Sequence, residues 1–211
     1  MPLLKDEAFV IAATDWRETS RIIRCFAREH GKIGLVAKGA RGIKSQMGST
    51  FESFSRIRFI VYAKPGADLF TLKEAETAEY YRALRNDLMR FAAASFFFEI
   101  LDKGMAAHER NEALFNLTAD FLQGMNTGKW SIETAPSYFL RLIAALGFAP
   151  HHLSEEFPAS AQLRSLVSGE NLLERWTLPL VREFFSLLRP FLEYHFEIGF
   201  KSADFLNQQF I

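Results

Sequence analysis

The residues with the clearest chemical potential are basic. Arg24 and Arg28 fall on the same side of one period-2 segment, Lys32 and Lys38 on the same side of a second, and Arg56 and Arg58 share a side with Tyr62 in a third. Cations aligned along neighbouring strands with an aromatic among them can take phosphates while the ring stacks on a base. Between the second and third of these segments lies Gly39-Ala40-Arg41-Gly42-Ile43-Lys44-Ser45-Gln46-Met47-Gly48-Ser49-Thr50, with Arg41 and Lys44 among glycines, hydroxyls and an amide. Such a loop can follow a sugar–phosphate backbone and donate hydrogen bonds from its own main chain. Exposed strand faces also carry Lys and Arg for solubility and edge protection, so these cations alone leave both readings open.

Catalytic and cofactor patterns are poorer. Gly124-Met125-Asn126-Thr127-Gly128-Lys129-Trp130 imitates a phosphate-binding loop, but it is one spacer short and has Trp where Ser or Thr would reach magnesium. It reads as a helix-ending turn. His151-His152 with Glu155 and Glu156 nearby could bind a metal weakly, but without spaced partners the cluster reads as a solvated connection, and no metal and no cofactor is expected. Cys25 alternates with apolar residues and reads as a buried thiol. No constellation supports an enzyme.

These residues need elements to hold them. The 211 residues suffice for one large domain or two modest ones. Hydrophobic types make up 49% and charged types 24%, which excludes intrinsic disorder. The longest uncharged apolar run, 91–98, is too short for a bilayer span, and the first residues lack the pattern of a secretory leader. A soluble, cytoplasmic chain without membrane contact is expected. The formal charge is zero, yet residues 1–75 hold 13 Lys/Arg against 8 Asp/Glu, and the remainder is acidic by the same margin. Of 22 Phe, 16 lie after residue 75, so the second part must be mostly apolar core.

The first part reads as five short strands: Ala8–Ala12, Arg21–Arg28, Lys32–Lys38, Phe54–Ala63 and Leu69–Glu74. Five strands in so short a stretch suit a closed barrel filled by Ile23, Ile33, Leu35, Ile57 and Phe59. The fold class is thus an all-β small barrel over 1–77, followed by an all-α region over 78–211. Helices are expected from about Asn86 to Gly104, Glu109 to Gly124, and Ser137 to Gly147. An irregular connection is expected over His151–Ser168, then a helix from Trp176 that Pro190 restarts.

Several segments resemble the bacterial recombination mediator family RecO. They are Glu18-Thr19-Ser20-Arg21-Ile22-Ile23, Arg28-Glu29-His30-Gly31-Lys32, and Val36-Ala37-Lys38-Gly39-Ala40-Arg41 with Lys44-Ser45. Tyr138-Phe139-Leu140-Arg141-Leu142-Ile143, Leu146-Gly147-Phe148-Ala149-Pro150, Tyr194-His195 and Lys201-Ser202-Ala203-Asp204-Phe205-Leu206 continue the match. The resemblance implies an OB-fold before a helical domain. It further implies binding of single-stranded and double-stranded DNA, strand annealing, and contacts with RecR and with the C-terminal tail of the single-stranded-DNA-binding protein. Through these the family helps load RecA in the nucleoid. Many members carry paired zinc-binding cysteines after the Leu-Gly-Phe segment; this chain has His151-His152-Leu153-Ser154 there. DNA contacts are expected from Arg24, Arg28, Lys32, Lys38, Arg41, Lys44, Arg56 and Arg58, and the partner tail at Arg141, Leu142 and Leu146. The alternatives are a small-barrel RNA-binding protein and an adaptor acting through its helical part.

Overall fold

The computed structural model describes residues 2–41, 50–62, 69–157, 159–168 and 176–210. The chain divides into two compact units. The first runs to Tyr81 and takes in Met105–Phe115; the second comprises Arg82–Gly104 and the residues from Asn116 onward.

In the first unit β1 (Leu3–Trp16), β2 (Ser20–Ala27), β3 (Gly31–Ala37), β4 (Arg56–Tyr62) and β5 (Leu69–Glu79) close into a barrel in the order β1-β2-β3-β5-β4. All pairings are antiparallel except β3 with β5. Period-2 alternation sends Ile23, Cys25, Ala27, Ile33, Leu35, Ile57 and Phe59 inward, where they pack with Val10 and Val61. Closure leaves every strand with two neighbours and no free edge.

β1 is longer than its apolar stretch suggests. Leu3–Phe9 pair with β4 and Ala8–Trp16 with β2, and a register shift between Val10 and Ala12 lets the strand bend from one neighbour to the other. Polar Lys5, Asp6 and Glu7 hide its beginning because they belong to a barrel wall and its rim. β5 likewise continues through Ala78–Glu79, where the sequence reads as helix. Residues 105–111 return to the barrel: Ala107 bridges Lys32, and the His108 N–H donates to the Lys32 carbonyl at 3.0 Å. Phe9 and Phe26, outward by alternation, are nonetheless buried, because the Phe115 ring lies 4.7 and 5.6 Å from theirs.

The second unit is helical: α1 (Arg82–Arg85), α2 (Leu88–Gly104), α3 (Glu112–Thr127, entering from the first unit), α4 (Ala135–Ala145), α5 (His152–Glu156), α6 (Ala161–Ser168), α7 (Leu178–Phe196) and α8 (Lys201–Gln208). Asp87 caps α2 by accepting the Arg90 N–H at 3.1 Å. Helix α2 buries Ala92, Ala93, Ala94, Phe96, Phe97, Phe98, Ile100 and Leu101, too broad a set for one stripe, as expected of a central helix. Phe139 of α4 is the hub of the aromatic core, with ring centroids 5.4 Å from Phe96, 5.8 Å from Phe97 and 5.1 Å from Phe185.

Two helical expectations are corrected. The stretch after His151 is not irregular: α5 and α6 form there, burying Leu153, Leu163 and Val167. Pro190 does not restart a helix but sits inside α7. Leu188, Phe191 and Leu192 are buried around it, and that burial outweighs the missing N–H. Among the described residues, no helix is long and apolar enough to cross a membrane.

Candidate nucleic-acid interface

The β1–β2 hairpin closes where Trp16 pairs with Ser20. Arg17, in the turn, adopts a left-handed backbone (φ 55°) and lays its guanidinium 4.1 Å from the centre of the Trp16 ring. One row back, Asp15 pairs with Arg21, which pairs with Ala37 of β3. The Arg21 Nε donates to Asp15 at 3.0 Å, and the Arg41 Nε lies 3.2 Å from the other oxygen of the same carboxylate.

Arg41 is tied to the hairpin by its main chain as well. Its N–H donates to the Thr19 carbonyl at 3.1 Å, and its Nη1 donates to the carbonyls of Arg17 and Glu18, each at 3.3 Å. Gly39 (φ 72°) supplies the left-handed step that brings the chain after β3 back to this turn. Lys38, directly after Ala37, is exposed. One end of the barrel therefore carries Arg17 over the Trp16 ring, Arg21 and Arg41 on the Asp15 carboxylate, and exposed Lys38 just after β3, with Asp15 and Glu18 as acidic neighbours. Arg24 stands partway along β2, exposed, between Ala12 and Gly34 in register.

The remaining cations occupy the opposite end, beside the β2–β3 turn. The Arg28 Nε donates to Glu7 at 2.6 Å, and its guanidinium covers the Phe115 ring at 4.3 Å. Arg56 reaches Glu7 at 4.0 Å and Glu79 at 3.7 Å, and Arg58 pairs with Glu76 at 3.3 Å. Lys32 is half-buried, opposite Phe26 in register. A groove of about 850 Å³ on this side is lined by Lys5, Asp6, Glu7, Arg58, Glu74 and Glu76 among others, so carboxylates outnumber cations there. Asp6 is nearly inaccessible and holds the turn, accepting the Glu29 N–H at 3.1 Å with His30 Nδ1 at 2.7 Å.

The cations aligned along neighbouring strands therefore do not form one continuous basic face: Lys38 and Arg41 lie at the hairpin end, Arg24 partway along β2, and Arg28, Lys32, Arg56 and Arg58 interleave with acids at the other end. Lys44 lies outside the described residues. Alternation along a strand assigns a side, but not the partner across the sheet, and the partners here are Glu7, Glu76 and Glu79. Sequence reasoning missed Trp16, Arg17 and Arg21. Arg21 shares its side with inward Ile23, yet it sits at the barrel mouth, and the available signal was Asp15 placed symmetrically across a three-residue turn.

In the helical unit Arg141 is exposed, 6.0 Å from the Tyr138 ring; burial raises the Tyr138 pKa against the lowering effect of Arg141. Leu142 is fully buried, and Leu146 is half-buried beside Gly104, so only Arg141 and Leu146 reach solvent. The segment resembling a phosphate-binding loop closes α3: Gly128 takes φ 75°, and the Trp130 N–H donates to the Gly124 carbonyl at 3.1 Å. Donor atoms of His151, His152 and Glu155 lie within 4.8 Å of one another and could share a divalent cation at the surface. Burial pushes the Cys25 thiol far above its usual range and leaves it unreactive.

Comparison with known proteins follows the same division. Residues 1–81 match the family profile described as recombination protein O N terminal, and residues 85–155 match recombination protein O C terminal. The DNA repair protein RecO of Bacillus cytotoxicus is 30% identical over 208 residues, covering 92% of this chain and 81% of the relative. That of Bacillus pumilus is 36% identical over 148 residues, 70% of this chain and 57% of the relative. That of Listeria welshimeri is 32% identical over 146 residues, 69% of this chain and 56% of the relative. The chain therefore spans little more than half the length of these last two.

Proposed function

Because the chain belongs to the RecO family of recombination proteins, we propose that it acts in DNA repair as a recombination mediator that binds DNA through the hairpin end of its barrel. The observation that carries this reading is the hairpin end itself, where Arg17 covers the Trp16 ring, Arg21 and Arg41 share the Asp15 carboxylate, and Lys38 is exposed just after β3. Cations and an aromatic ring at one end of a barrel suit a single strand: the cations take phosphates and release counterions, and the ring accepts a base. The acid-laced opposite end suits DNA poorly.

No covalent step is needed. Neutralised phosphates let two complementary strands approach with less repulsion, so annealing follows from charge and position. The same backbone contacts serve duplex DNA. The helical unit would then meet protein partners, with Arg141 and Leu146 available to the acidic, hydrophobic tail of the single-stranded-DNA-binding protein. RecR is the other expected partner, and RecA is loaded indirectly on the strand so exposed.

The test is titration of a labelled single-stranded oligonucleotide at several salt concentrations, followed by annealing with the single-stranded-DNA-binding protein present. Lys38→Ala/Arg41→Ala should weaken binding equally for all sequences and reduce the salt slope by about one to two. Unchanged affinity and slope in that variant, alongside a loss in Arg28→Ala/Arg58→Ala, would move the interface to the other end of the barrel.

A further inference from the structure

Trp16 is placed differently from the other two tryptophans. Trp130 and Trp176 are buried at 5% and 3% exposure, each in the helical unit. Trp16 is half-buried at the last position of β1, and the group over its ring is a charged side chain from the adjoining turn. Arg17 reaches that position from a left-handed backbone, which only a minority of non-glycine residues adopt.

The same barrel end carries further cations beside the acids Asp15 and Glu18. Arg21 and Arg41, from β2 and from the segment after β3, are both held by Asp15, and Lys38 is exposed just after β3. An aromatic face covered by an exposed cation, at a barrel end that carries three more, has the makings of a base-stacking platform. When a base arrives, the guanidinium can leave the ring for a phosphate, and base–aromatic stacking replaces a weaker exposed cation–π contact.

We propose that Trp16 is a stacking platform for one unpaired base of a single strand, and that Arg17 occupies it in the free protein and moves to the backbone on binding. This rests on the reading of the hairpin end as the DNA interface. It adds the residue that distinguishes a single strand from a mere polyanion, since a base paired within a duplex has no face to offer the ring.

The experiment uses the full chain and two labelled oligonucleotides of equal length, one of thymidines and one of abasic sugar–phosphate units. Anisotropy reports binding, and tryptophan emission reports stacking. Because Trp130 and Trp176 are buried, quenching on binding reports position 16. The thymidine strand should quench the emission and bind about tenfold tighter than the abasic strand. Trp16→Ala should bind both strands equally, Trp16→Phe should keep part of the preference, and Arg17→Ala should keep the preference while the salt slope falls by about one. Equal binding of the two strands by the unaltered protein, binding without quenching, or a preference that survives Trp16→Ala would overturn the platform while leaving DNA binding intact. Failure to bind either strand would remove the underlying reading and the platform together.

Discussion

Gly31 lies so close to the main chain of Glu109 that a Cβ at position 31 would stand 2.1 Å from the Glu109 carbonyl oxygen. Its φ of 62° excludes most side chains independently. The contact is where the returning segment 105–111 rests on the barrel beside the Lys32–Ala107 bridge. Gly31→Ala should cost about 2–4 kcal/mol, the sum of a strained backbone and a main-chain clash. Gly39→Ala supplies the control, with a similar φ of 72° but nothing within 4 Å of its Cβ, and should cost about 1 kcal/mol. Urea unfolding of the two variants separates these contributions, and equal losses would show that the packing against Glu109 is unimportant.

The barrel was legible because its information is local. Alternation in Arg21–Arg28 and Phe54–Ala63 assigns Ile23, Cys25, Ile57 and Phe59 to the interior without knowledge of any partner strand. The charge arrangement was not legible, because it depends on register. Nothing near Arg28 in sequence indicates Glu7, and nothing near Arg58 indicates Glu76. The same holds for Phe26, whose outward position is buried only because Phe115, far along the chain, covers it. Pro190 misled for a related reason: the local signal to stop a helix is real, but burial of Leu188 and Phe191 beside it decides the outcome.

Asp15 binds two arginines that the proposed interface needs, Arg21 at 3.0 Å and Arg41 at 3.2 Å. In the free protein this carboxylate holds them; in the proposed DNA complex it would compete with phosphate. Asp15→Asn keeps the shape of the side chain and removes the competing charge. Single-strand affinity should rise about two- to fivefold at low salt, with the advantage fading as salt screens the pair. A fall in affinity would mean that positioning outweighs competition.

Glu99 fixes the start of α8. It accepts the N–H groups of Lys201 at 3.2 Å and Ser202 at 2.8 Å, the Ser202 hydroxyl, and the Lys103 ammonium. Burial pushes its pKa up, but the bonds from Lys103 and Ser202 outweigh that, and the carboxyl ends below its ordinary value. A carboxylate with a lowered folded pKa stabilises the fold above its unfolded pKa, and that contribution disappears as pH falls through the folded one. Glu99→Gln should therefore cost about 1–3 kcal/mol near neutrality and less as acid is added. Urea midpoints across the acid range measure the difference, and a gap that stays constant down to the lowest pH would rule out Glu99 as its source.

Glu7 tests whether the two ends of the barrel have different duties. Its carboxylate accepts the Arg28 Nε at 2.6 Å and lies 4.0 Å from Arg56, whose own Nε is buried without a hydrogen-bond partner. Removing the charge leaves two half-buried guanidinium groups with less compensation, so Glu7→Gln should cost about 1–3 kcal/mol of stability. The same change frees positive charge at the end away from Trp16. If the hairpin end carries DNA alone, single-strand affinity and its salt slope should stay within error of the unaltered protein. A steeper slope in Glu7→Gln would show that Arg28 and Arg56 reach phosphate once released, and that the strand runs the length of the barrel instead of ending at its mouth.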